Sequence, residues 1–188
     1  MRRFIIGFVF FSVSLNGTAQ HKKYYGDGPD DYLRLMPVAS VFALKMCGVE
    51  NASSWERLAM NSAASCIISL GVAWGLKYAI HEQRPDGTDN HAFPSGHTTF
   101  AFIGAHLLHK EYGRKSIWYS IAGYGVAAAV GIDRVARNRH RWHDVCAGAV
   151  IGILGTEVGY WLGDRITGES SRYSLAFGTQ SLSFIVQL

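Results

Sequence analysis

Three short groups of residues in this 188-residue chain have the types and spacing that phosphate chemistry requires. The first is Lys77 with Arg84-Pro85, the second Pro94-Ser95-Gly96-His97, and the third Arg134, His140 and Asp144. Lys77, Arg84 and Arg134 supply fixed positive charge, and arginine adds a planar fork of donors that matches phosphate oxygens. Pro94 suits a helix start. Ser95, Gly96 and His97 are then expected to present unpaired N–H groups at the positive end of that helix, a cradle for an anion. His140 and Asp144 are four apart and share a face on a helical turn. The carboxylate can hold one imidazole nitrogen and fix the tautomer, which leaves the other nitrogen free as a nucleophile. His97 is available to protonate a leaving oxygen. Each part alone has an ordinary structural reading: a lysine covering helix-end carbonyls, a turn opening a helix, a surface His/Asp hydrogen bond. Their joint spacing points to phosphoryl transfer by positioning and charge.

These groups need helices to hold them. Five apolar, helix-like segments run at about 33–48, 55–81, 95–110, 116–132 and 144–163. Glycine and alanine are scattered through them, which suits close helix packing in lipid or in a soluble bundle. The architecture reads as all-α. If the chain starts outside a membrane, the third segment runs inward to Lys110, Arg114 and Lys115, as the positive-inside rule favours. The His-, Arg- and Asp-rich loops 82–94 and 133–143 then lie on one face.

The ends differ in character. Residues 1–19 carry Arg2-Arg3, the 12-residue apolar run Phe4–Leu15 and a small-residue stretch ending at Ala19, the order of a secretory signal. The run is short of the ~20 residues needed to cross a bilayer. Residues 20–31 read as a polar loop, 32–167 as the helical domain, and 168–188 as a tail in which Leu175, Phe177, Leu182 and Phe184 alternate with other residues as in a β-hairpin.

With 17% charged residues and a mean hydropathy of +0.07, the chain is neither disordered nor uniformly apolar. Removal of Arg2 and Arg3 takes the formal charge from +4 to +2, which gives no argument for nucleic acid. Cys47, Cys66 and Cys146 have no paired or metal-ligand spacing and are expected as buried small apolar groups. Ser95–His109 as a helix reaches about 22 Å, less than a ~30 Å hydrocarbon core.

The series Lys77-x6-Arg84-Pro85, Pro94-Ser95-Gly96-His97 and Arg134-x5-His140-x3-Asp144, continuing to Val145 and Ala147-Gly148, resembles the three-part signature of the type 2 phosphatidic acid phosphatase/vanadium haloperoxidase superfamily. The resemblance covers about residues 55–163. It implies a helical bundle of about five core helices and hydrolysis of phosphate esters through a phosphohistidine, with no metal or other cofactor. It makes His140 the nucleophile, Asp144 its orienting partner and His97 the general acid. Lys77, Arg84, Ser95, Gly96 and Arg134 would bind the phosphoryl group. Asp133 stands where the family usually has Ser, so it is expected to point away or to pair with a nearby arginine. The basic run Arg137, Arg139 and Arg141 suggests a polyanionic substrate or headgroup. The expected substrate is a phosphorylated membrane lipid (lipid A, polyprenyl diphosphate, phosphatidate or phosphatidylglycerol phosphate) at the periplasmic face of a bacterial inner membrane. A soluble secreted acid phosphatase, a vanadate-dependent haloperoxidase and a non-catalytic headgroup-binding membrane protein are the other readings.

Overall fold

In the computed structural model, which describes residues 28–168 and the strands at 173–178 and 181–186, every predicted apolar segment is a helix. A short helix α1 (Pro29–Leu33) precedes α2 (Met36–Met46), α3 (Trp55–Ile80), α4 (Gly96–Tyr112), α5 (Ile117–Ala136) and α6 (Trp142–Thr167). The fold is an all-α bundle with five long helices. Beyond it, the backbones of β1 (Tyr173–Gly178) and β2 (Ser181–Val186) run antiparallel. The signal segment 1–19 and most of the polar segment 20–31 lie outside the described residues.

Local chemistry sets the helix ends. The Ser54 hydroxyl accepts the Arg57 N–H at 3.1 Å and caps α3, which closes at His81 in the left-handed region, φ 50°. Asp144, three residues into α6, accepts the Arg141 N–H at 2.8 Å. The polar segment 20–31 does not stay a loop to its end. Pro29 occupies the first turn of α1, and the Asp31 carboxylate accepts the Gly28 N–H at 3.0 Å.

Helix α4 is central and packs against α2, α3, α5 and α6. Ile103, Leu107, Leu108 and Tyr112 join Val41, Leu58 and Tyr160 in one cluster, while Ala101 and Ala105 meet Ala127 and Val130 in another. With its sides covered by neighbours, α4 has no need of a bilayer-spanning length. Helices α3 and α6 meet along a polar, small-residue seam. Buried Asn61, Ser65 and Ser69 lie against Gly163, Gly159 and Gly155. A Cβ added at Gly159 would come within 2.5 Å of the Ser65 backbone nitrogen, so only glycine permits this approach.

Apolar side chains lie on the outside of the bundle as well as in its core, and polar ones are buried beside them. Ser, Thr and Asn line the interior, whereas Ile67, Val72, Trp74, Ile121, Val150, Leu154, Val158 and Trp161 are exposed. Helices α3 and α6, each 26 residues, are long and apolar enough to cross a membrane. Only 17% and 39% of their most apolar stretches are buried, unlike the core helices of a soluble protein. The cysteines follow the same logic. Expected inside, Cys47 and Cys146 are exposed and Cys66 is half-buried, because apolar character here is not confined to the interior.

Candidate active site

All eight residues singled out by spacing meet at one end of the bundle, where α3 ends and α4 and α6 begin. The Ser95 N–H donates to the Asp144 carbonyl at 3.0 Å, which ties the second group to the third. This corrects the expected cradle: the Ser95 amide is occupied, and Gly96 and His97 carry the first-turn amides that lack an intrahelical carbonyl. The Ser95 side chain is buried and its Oγ accepts from Thr98 Oγ1 at 2.9 Å. Beside Gly96 lies Lys77, whose Nζ donates to the carbonyls of His91 at 2.9 Å and Pro94 at 2.6 Å. Lys77 therefore both charges the cradle and holds the loop that leads into it.

The interval from Arg134 to His140 folds back on itself. The Arg134 carbonyl accepts from the N–H groups of Arg139 at 3.0 Å and His140 at 3.3 Å, with Asn138 at φ 55° making the turn. This places the His140 imidazole, 3% exposed, with Nδ1 3.4 Å from Asp144 Oδ2 and Nε2 3.4 Å from Arg84 Nη1. Burial pushes His140 down to about 4, helped by Arg84, Arg134 and Lys77, and only Asp144 opposes it strongly. The imidazole is thus neutral at ordinary pH, the form a nucleophile requires. Arg134 is buried, and its Nε has no protein hydrogen-bond acceptor among the described residues.

Spacing did not reveal the acidic partners that hold these cations. Asp89 takes Arg84 Nε at 2.8 and 2.9 Å, and the Arg84 pairing keeps the Asp89 carboxyl low against its partial burial. Asp30, fully buried on α1, accepts from Arg134 Nη1 and Arg137 Nη1, each at 2.6 Å. Burial works against its charge, yet Arg134, His97 and Arg137 keep its carboxyl low. The adjacent Asp31 meets His97 Nε2 at 2.6 Å. The basic run is likewise not a bare patch. Arg139 pairs with Asp86 at 2.6 Å, Arg141 with Glu82, and Arg137 with Asp30 and Asp133. The Asp133 carboxylate, 3.5 Å from Arg137, has the arginine partner expected of it.

Two sets of ligand-type atoms lie close together, Asp30/Asp31/His97 and Glu82/His143/Asp144. Both already neutralise arginines, and Lys77, Arg84 and Arg134 are cationic side chains gathered at this end.

This arrangement can bind a tetrahedral oxyanion against a neutral imidazole whose Nδ1 stands 3.4 Å from the Asp144 carboxylate, with a second, part-exposed imidazole at the same end. Known proteins similar to this chain in sequence are phosphatases by name. Over 146 residues the chain is 40% identical to the lipid A 1-phosphatase of Porphyromonas gingivalis, covering 77% of this chain and 33% of that protein. Lipid phosphate phosphatases 2 and 1 of Arabidopsis thaliana are each 36% identical over shorter stretches, 33% and 34% of this chain and 25% and 23% of theirs. The chain thus spans about a third or less of the length of these relatives. No solved structure matches. The PAP2 superfamily pattern matches residues 58–167, which takes in all three groups, and the chain belongs to that superfamily.

Proposed function

We propose that this chain is a metal-independent phosphatase of membrane lipid phosphates, acting through a phosphohistidine at the extracytoplasmic face. The observation that carries this reading is the convergence of three cations on a buried His140–Asp144 pair at one end of an apolar-surfaced bundle. The phosphoryl group sits among Lys77, Arg84, Arg134, the Ser95 hydroxyl and the Gly96 and His97 amides. His140 Nε2 attacks phosphorus while Asp144 holds the Nδ1 proton, and the P–O bond to the alcohol or phosphate leaving group breaks. His97 gives its proton to the departing oxygen. It then takes a proton from the water that hydrolyses the phosphohistidine, which restores both histidines and releases inorganic phosphate. The fixed cations stabilise the charge on the transferring group throughout.

The surface supports a lipid substrate and a bilayer crossed by α3 and α6. Exposed Tyr32, Tyr78 and Trp142 mark the site end, and exposed Trp55, Trp118 and Trp161 mark the other, as in aromatic belts at two interfaces. A soluble acid phosphatase would leave this apolar surface without a role. The name of the Porphyromonas gingivalis relative makes lipid A the first candidate among the phosphorylated lipids.

The test is phosphate release by the full chain in detergent, with a chelator present, from lipid A, polyprenyl diphosphate, phosphatidate and a soluble ester. At least one lipid is expected to be turned over faster than the soluble ester. His140→Ala is expected to lower release at least about a thousandfold, as loss of a nucleophile does. Wild-type rates from His140→Ala would overturn the assignment.

A further inference from the structure

The family pattern begins at residue 58, yet two carboxylates enter the site from residues 30 and 31. Asp30 is the anchor: fully buried between Arg134 and Arg137, it fixes α1 over the mouth. The next residue, Asp31, is thereby delivered to His97, with Oδ1 2.6 Å from Nε2. Its other oxygen is held by the Gly28 N–H at 3.0 Å, so the carboxylate is clamped from both sides. His97 itself is about one-fifth exposed, at the rim where a leaving group would depart.

We propose that Asp31 is a positioning residue for His97, orienting and charging the general acid as Asp144 orients the nucleophile. This rests on the phosphatase reading. With Nε2–H committed to Asp31, Nδ1 is the nitrogen left to serve the leaving oxygen. In the step, the Nδ1 proton of the imidazolium moves to the leaving oxygen as the P–O bond breaks. The imidazole becomes neutral with its Nε2 proton kept on the Asp31 hydrogen bond, and Asp31 stays ionised throughout.

The charged groups facing His97 are Asp31, Asp30 and Arg34 from the α1 segment and Arg134 from α5. Burial, then Arg134, hold His97 below its ordinary range, and the Asp31 hydrogen bond works against them and limits that fall. The same bond holds the Asp31 carboxyl below its ordinary range. Removing the Asp31 charge therefore lets His97 lose its proton at lower pH.

The experiment compares wild type, Asp31→Asn, Asp31→Glu and His140→Ala, full-length in detergent, on an aryl phosphate and an alkyl phosphate across pH. An aryl oxide leaves without much help, whereas an alkoxide needs the acid. Asp31→Asn is expected to cut the alkyl rate about tenfold more than the aryl rate, a part of the 10²–10⁴-fold that general acids supply. Its alkaline kcat limb is expected to move down by about one pH unit, with KM little changed and partial recovery in Asp31→Glu. The aryl-to-alkyl ratio does not depend on how much protein is folded. An unchanged ratio and limb in Asp31→Asn, with active wild type and inactive His140→Ala, would overturn this inference alone. A rise in the alkyl rate would also overturn it, since Asp31 would then be holding His97 away from the substrate. Inactive wild type or active His140→Ala would instead remove the phosphatase reading beneath it.

Discussion

At the scale of single residues, the proposed mechanism makes a histidine a poor base and then uses it as a nucleophile. His140 is driven down to about 4 by burial and by the cations Arg84, Arg134 and Lys77. The sign follows directly: below that pH the imidazole gains a proton and cannot attack, so activity is lost on the acid side near 4 and is retained above it. Arg84 Nη1 stands 3.4 Å from His140 Nε2. Replacing Arg84 by glutamine removes a charge that disfavours the imidazolium, so the His140 pKa rises. The acid limb of kcat in Arg84→Gln is expected to move up by about one pH unit, beside a loss of kcat from the missing phosphate donor. A kcat–pH profile on the soluble ester measures both effects. An unmoved limb would show that Arg84 does not help to hold this histidine neutral.

At the scale of elements, what matters is how closely α6 can approach the start of α4. Gly148 lies one turn beyond Asp144, and a Cβ added there would stand 2.7 Å from the Ser95 carbonyl oxygen. That contact adjoins the bond from the Ser95 N–H to the Asp144 carbonyl, so pushing the helices apart separates the cradle from the nucleophile's partner. Gly148→Ala is expected to lower kcat about a hundredfold, as small misplacements at a reacting centre do, while helix content by circular dichroism stays unchanged. The sequence made the long helices and the three groups legible because both are local: apolar runs and intervals of three to seven residues. What it hid was non-local. Asp30 and Arg134 lie 104 positions apart and Asp31 and His97 66 apart, and no periodicity links them. Helix α1 has five residues, fewer than two turns, so its Gly-Pro-Asp-Asp stretch reads as loop until the arginines it binds are in place. The pairing of Arg84 with Asp89 was closer to reach, since both share one short loop, but the arginines read as free cations.

At the scale of the whole molecule, the apolar exterior bears on where the chain can reside, and the site end on which way it faces. The arginines and histidines of the site are paired at one end with acids of α1, of the 82–94 loop and of the first turn of α6. Lys110 and Lys115 lie at the other, paired with Glu157 and Glu50. The proposed extracytoplasmic substrate puts the site outside and, with α3 and α6 crossing the bilayer, the Lys110–Lys115 end in the cytoplasm. Cys47, exposed just past α2, lies at the end away from the site, whereas Asn90, also exposed, lies in a site loop. A variant with Cys66→Ala and Cys146→Ala leaves Cys47 as its single thiol. In intact spheroplasts, Cys47 is expected to resist a membrane-impermeant maleimide until the membrane is permeabilised. Adding Asn90→Cys and Cys47→Ala to that background is expected to give labelling without permeabilisation. The reverse pattern would turn the site toward the cytoplasm, and labelling of both without permeabilisation would mean that the bundle does not cross the bilayer at all. Alkaline carbonate washing separates that last outcome from leakage, because a bundle whose exposed Ile67, Leu154 and Trp161 meet lipid stays with the membrane pellet.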